Sequence, residues 1–237
     1  MKKFKTAPLL CCMITALLSL QCGKIPYKQY YMLNYVPAPL KDRALQMPYP
    51  YVIRLKEFSI EEAYNRSQIV YRLSPFELRY YYYRLWAVKP SRMVTDQLFK
   101  HISSTNLVNS IVRRYDEGRK PQYEITGRIE ALEEYDSEDI LFAHIAMRIN
   151  LIRLSDGKSM YSRHFDFRKR VYRREPEYMI REMSRIMEVI FNQAVIDIDS
   201  RLAAEYGIED VSTTETKKLE SGPQLISDTS GMKGSIR

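Results

Sequence analysis

Cysteine is missing from this chain after position 22: Cys11, Cys12 and Cys22 all stand near its start. A body without cysteine can hold neither a disulfide nor a thiolate metal site, so packing alone must hold its fold. No His-Glu-x-x-His, Cys-x-x-Cys or Gly-x4-Gly-Lys-Ser/Thr run occurs, so the parts of zinc-protease, thiol-redox and P-loop chemistry are absent from the sequence. The three histidines, His101, His144 and His164, are spread over segments with different periodicity. Long charge-free apolar runs are also missing, with one exception from Ala7 through Leu20.

Lys2, Lys3 and Lys5 precede that run, and it stops at Gln21-Cys22-Gly23. A basic start, an apolar stretch and a small-residue boundary make a secretory signal. The stretch is shorter than the ~20 apolar residues that span a bilayer. A signal ending at a cysteine has the form of a bacterial lipoprotein leader: residues 1–21 are the signal peptide, and Cys22 becomes the first mature residue and carries a covalent lipid, palmitate among its chains. Ser19-Leu20-Gln21 departs from the usual cleavage box, with Leu18 one place early and Gln21 bulky. Cys11 and Cys12 read as apolar filler in the discarded leader.

The formal charge of +8 raises the question of an anionic partner. Export excludes nucleic acid, and the basic residues read as spread along the chain. An anionic membrane surface is the better partner, with solvated surface charge as the plain alternative. At 45% hydrophobic content the chain can bury one good core.

Residues 22–29 form a short tether, residues 30–207 a single domain, and residues 208–237 a polar tail without apolar period, read as disordered. Tyr30-Tyr31-Met32-Leu33, Tyr51 to Leu55, Ile69 to Leu73 and Leu78 to Tyr83 are short β-rich runs. Pro90 opens a helix whose stripe is Val94, Leu98 and Ile102. Tyr123, Ile125, Gly127 and Ile129 alternate with polar residues on a long strand. Leu141 through Leu151 do the same on a second, and Tyr161 through Phe167 on a third after the Asp156-Gly157 turn. The helix from Pro176 to about Ala203 covers their apolar face, with Gly207 as its stop. The expected fold class is α+β: one mixed or antiparallel sheet with a long antiparallel meander, covered by a mid-chain helix and a long C-terminal helix.

Met179, Met183 and Met187 on that last helix read as core filling in preference to a lipid groove or metal site. Ser162, His164 and Asp166 alternate along one strand about 7 Å apart. That is too far for a nucleophile and its base, which must approach to about 3 Å. Glu133, Glu134, Asp136, Glu138 and Asp139 read as the acidic, solvated tip of a hairpin. The chain is expected not to be an enzyme, and to need no metal or cofactor beyond the lipid.

One segment is unusual: Arg66, then Ile69-Val70-Tyr71-Arg72, Ser74-Pro75-Phe76-Glu77, the run Tyr80-Tyr81-Tyr82-Tyr83-Arg84, Trp86, and Pro90-Ser91-Arg92 opening a helix. Here the chain resembles the ABC-type transport auxiliary lipoproteins, and the likeness extends over roughly residues 18 to 206. That resemblance implies a non-catalytic partner of a lipid-transport system built from a permease, an ATPase and a mammalian-cell-entry (MCE) domain protein. It would sit at the periplasmic face of the outer membrane, and Gly23 in place of Asp fits that destination. A homo-oligomer is compatible with this reading. The resemblance brings no binding residues, so the candidate contact surface is physical. A strand must divide Tyr80, Tyr81, Tyr82 and Tyr83 between two faces, and Arg66, Arg72, Arg84 and Arg92 with Trp86 could join the outward pair against a partner or phospholipid headgroups. Alternatively these rings wrap the sheet edge, and Arg72 satisfies internal carboxylates. A second function fits the same fold, a periplasmic carrier with an acyl-chain pocket.

Overall fold

The computed structural model describes residues 27–37, 47–113, 120–137 and 140–207. Cys11, Cys12, Cys22, the expected leader, the expected tail, and Glu138 and Asp139 lie outside the described residues. The elements are β1 (Gln29–Tyr31), β2 (Tyr49–Leu55), β3 (Ser59–Ile60), a 3-10 turn (Glu62–Tyr64), β4 (Gln68–Ser74), β5 (Glu77–Trp86), α1 (Pro90–Thr105), β6 (Val108–Val112), β7 (Tyr123–Ser137), β8 (Ile140–Arg153), β9 (Ser159–Val171) and α2 (Pro176–Tyr206). Both helices open on proline, whose missing N–H costs nothing there. They close on left-handed residues, Asn106 at φ 53° and Gly207 at φ 81°.

β7 is the spine of one mixed sheet. One edge pairs antiparallel with β8 from Tyr123↔Arg153 to Ser137↔Ile140, and β8 pairs in the same sense with β9. This is the expected meander. The other edge of β7 is shared in turn by β2 at Ile53↔Tyr123, β3 at Ile60↔Ile129 and β4 at Arg72↔Tyr135, all parallel. β6 extends the sheet beside β2, while β5 and then β1 extend it beside β4. The body therefore has two distinct ends. β4, β5 and β1 gather where β7 finishes and α2 begins, and Arg174–Asp136 and Lys169–Glu182 ion pairs tie that end together. At the other end Arg153 bonds Glu205 near the close of α2.

Met179, Met183, Met187, Ile190 and Phe191 of α2 are buried against Ala143, Ile145, Met147, Ile149 and Leu151 of β8. The methionine stripe is core. A bulge at Glu130 shifts the alternation of β7, so Ile129 and Leu132 both face the helices while Ala131 joins Ala146 in a small cluster with Tyr64 and Val70. Glu133 and Glu134 correct an expectation: they are no solvated tip. They sit inside the strand at 2% and 5% exposure. Partners from β4, β5, β8 and the 3-10 turn make that burial tolerable, because buried charge must be paired and hydrogen-bonded.

After β1 the chain crosses both helices. The Leu33 N–H meets Met93 Sδ at 3.4 Å, Gln97 Nε2 donates to the Leu33 carbonyl at 2.8 Å, and the Asn34 N–H donates to Ser184 Oγ at 3.1 Å. The segment that follows the expected tether is thus fixed into the core. Among the described residues no helix is long and apolar enough to cross a membrane.

Candidate functional site

The tyrosine run lies in β5, at the margin of the sheet. β1 pairs only with Arg84, Leu85 and Trp86, so among the described residues the outer edge from Glu77 to Tyr83 has no strand beside it. On the inner side, Val70 pairs with Tyr80 and Gln68 with Leu85, leaving Tyr81, Tyr82, Tyr83 and Arg84 opposite Ile69 alone. This wide bulge twists the strand and breaks the simple alternation of faces.

The four tyrosines divide unequally. Tyr81 is half-buried, packs at a tilt against Tyr71 with ring centroids 4.4 Å apart, and donates to Glu134 Oε1 at 2.8 Å. Burial and the Glu134 carboxylate push the Tyr81 hydroxyl up. Tyr80, Tyr82 and Tyr83 are exposed, Tyr82 at 74%. Tyr82 and Tyr83 meet edge to face with centroids 4.8 Å apart. The Arg66 guanidinium lies 3.7 Å from the Tyr80 ring centre, and Arg84 lies 4.2 Å from that of Tyr81. An exposed cation–ring pair contributes about 0.5–1 kcal/mol. Arg66 with Tyr80, and Tyr82 with Tyr83, thus make two exposed contacts along the β5 rim, with Arg84 over Tyr81 beside them.

Three of the expected contact residues do not belong to it. Trp86 is 3% exposed and packs in the main core, so it presents nothing to a partner. Arg72 is engaged internally: its Nε donates to Glu133 Oε1 at 2.8 Å and its Nη2 to the Tyr64 hydroxyl at 2.9 Å. Arg92 is exposed on the first turn of α1 and borders a cavity with Leu55, Glu57, Thr95, Asp96 and Arg113, which none of the tyrosines touches.

Arg72 belongs to a buried network on the sheet face away from the helices. Glu133 accepts from Tyr64 at 2.6 Å, and the His144 ring bridges Glu133 Oε1 and Asp166 Oδ1, each at 3.0 Å. Burial alone raises the Glu133 carboxyl, but the hydrogen bonds from His144, Arg72 and Tyr64 outweigh it and bring it down to about 2. Ser162, His164 and Asp166 each have separate partners: Ser162 donates to Asn150, His164 faces Glu130, and Asp166 faces His144. Among the described residues no group of three or more His, Cys, Asp or Glu side chains is placed to hold a metal ion.

The expectation of scattered cations fails at one place. Arg168, Lys169, Arg170, Arg173 and Arg174 crowd the end of β9 and the turn into α2, around Tyr172 at 85% exposure. The signal was readable as an Arg-Lys-Arg-Val-Tyr-Arg-Arg run; only its position at the end of a strand required the fold.

Solved structures share this architecture. Protein XCC0632 from Xanthomonas campestris, of the DUF330 family, superposes with a TM-score of 0.64 at 14% identity, over 75% of this chain and 99% of that one. An uncharacterised protein superposes at 0.58 with 12% identity, over 73% and 99% of the two chains. At such identities the likeness is one of fold. No curated protein sequence matches the chain. The sequence model of one family covers residues 31–195, from the last residue of β1 to the middle of α2, and so takes in the rim, the buried network and the meander. The chain belongs to the ABC-type transport auxiliary lipoprotein component family.

Proposed function

We propose that this protein is the non-catalytic, lipid-anchored component of an ABC/MCE-type lipid-transport system, docking the periplasmic assembly at the outer membrane through the β5 rim. The observation that carries this reading is the edge of β5 that is unpaired among the described residues, with its exposed aromatic rings. An open strand edge offers main-chain bonds to an added strand, and Tyr suits an interface because its apolar ring ends in a polar tip. Membership in an ABC-type transport auxiliary lipoprotein family supports association with an ABC transport system; the partners proposed within it are an MCE-domain protein, its permease and its ATPase. Cys22 carries the lipid in this reading, and β1 begins seven residues later.

The carrier reading has less support. Between sheet and helices lie Met183, Met187, Ile190 and Phe191, each fully buried, so among the described residues this layer is occupied by packed apolar side chains. The ion-paired and separately bonded polar groups described above also supply no reacting constellation.

Affinity capture of the tagged full chain from cross-linked envelopes tests the proposal. Recovery of an MCE-domain, permease or ATPase component is expected. Repeated recovery of none of the three overturns it. Loss of metabolic palmitate label in Cys22→Ala is expected for the anchor, and label surviving that change contradicts it.

A further inference from the structure

The direction of β1 decides which end of the body faces a tethering membrane. β1 runs parallel to β5, which is antiparallel to β4, and β4 is parallel to β7. β1 therefore starts on the side of the end where β7 finishes and α2 begins, and runs away from it. Seven residues from Cys22 to Gln29 reach at most about 25 Å when extended, so a lipid on Cys22 brings that end against the bilayer.

That end carries two exposed aromatic tips. Phe76, at the β4–β5 hairpin, is 99% exposed, and Tyr172 is its counterpart at the β9–α2 turn. Three to four strand spacings separate them, about 15–20 Å. Cations flank Tyr172 along the chain. Lys169 and Arg174 are taken up by Glu182 and Asp136, whereas Arg170 and Arg173 make no ion pair among the described residues. Arg170 lies 5.3 Å from the Tyr172 ring centre; Arg173 and Arg181 lie 4.9 Å and 4.3 Å from that of Tyr178. Glu175 and Glu177 are the exposed acids beside them. An open groove of about 480 Å³ between β1 and the start of α2, bordered by Tyr30, Met32, Ile180 and Arg181, lies at the same end.

We infer that this end of the body is a second membrane contact, independent of the lipid, in which Phe76 and Tyr172 enter the headgroup layer and Arg170 and Arg173 bind phosphates of anionic phospholipids. Guanidinium binds phosphate bidentately, and amphipathic aromatic rings settle at the water–lipid boundary. Juxtamembrane cations are drawn to an anionic leaflet over about a Debye length, within which the short tether holds them. The inference rests on the reading of the protein as tethered through Cys22.

The test uses the full, lipidated chain in vesicles of phosphatidylcholine with or without phosphatidylglycerol. Because the only mature cysteine carries the lipid, Glu175→Cys and Lys158→Cys each add one free thiol for a spin label, at opposite ends of β9 and about 40 Å apart. In vesicles with phosphatidylglycerol, lipid-soluble oxygen should relax the label at 175 several-fold more than the label at 158. Arg170→Glu with Arg173→Glu should bring the two to equality while the protein stays bound. Equal relaxation at both positions in bound protein overturns this inference and leaves the tether intact, as does an identical contrast in the two vesicle types. Protein that floats with neither vesicle overturns the tether and this contact together.

Discussion

The Tyr81 hydroxyl donates to Glu134 Oε1 at 2.8 Å across the sheet, joining the marginal strand β5 to the spine β7. Its neighbour Tyr82 stands 74% exposed and makes no such bond among the described residues. Two identical side chains in succession thus have separate work, one structural and one presented outward. Tyr81→Phe leaves the buried Glu134 carboxyl without this donor, and burial already raises that carboxyl. A loss of about 1–3 kcal/mol in urea unfolding is expected, with partner capture retained at permissive temperature.

Glu133 sets an acid limit. Its carboxyl is held at about 2 in the fold against an ordinary 4.5. A depressed carboxylate contributes stability that is complete above the unfolded value and is lost as pH falls from about 4.5 toward 2. The shift corresponds to about 3 kcal/mol. Glu133→Gln should be less stable at neutral pH and should show a flatter stability profile between pH 4.5 and 2, measured by urea melts.

His101 acts in the adjoining window. It is fully buried beside Phe191, and its Nδ1 meets the Tyr35 hydroxyl at 2.9 Å. Burial lowers the imidazole to about 4, so the folded protein holds it neutral. The unfolded chain binds a proton near pH 6.5, so stability is complete above that value and falls as pH drops toward 4, by about 3 kcal/mol. His101→Gln should remove most of the slope between pH 6.5 and 4 while leaving the Glu133 window unchanged.

Gly127 has the ring of Phe58 where its side chain would be. A Cβ there would stand 2.3 Å from Phe58 Cε2, and Phe58 is buried. Gly127→Ala should cost about 1–3 kcal/mol through overpacking. Adding Phe58→Leu to it should cost less than the two single losses combined, a coupling that thermal melts of the four proteins would reveal.

Local signals made much of the fold legible. Strict alternation gave away β7, β8 and β9; Pro90, Pro176 and Gly207 marked helix limits; the methionine spacing pointed to core. What alternation could not show was the bulge at Glu130, which reverses the face of every later side chain, or that both faces are covered there, so that Glu133 and Glu134, on opposite faces, are both buried. The parallel pairings of β2, β3 and β4 along one edge of β7 were equally hidden, since short runs carry no record of which distant strand they join. At the candidate site, the tyrosine run was visible as an oddity. Its division into Tyr81 inside and Tyr80, Tyr82 and Tyr83 outside needed the bulge opposite Ile69. Trp86 and Arg72 had the right residue types for an interface but were placed inside by long-range partners such as Glu133.

Photo-cross-linking from the rim tests the central claim most directly. Benzoylphenylalanine replaces Tyr82 in one strain and Lys158, at the far end of the body, in another. Irradiated living cells should yield an adduct with an MCE-domain, permease or ATPase protein from position 82 and none from position 158. Adducts from position 158 alone, or none from position 82 in a chain that is folded and membrane-bound, would contradict the docking role of β5.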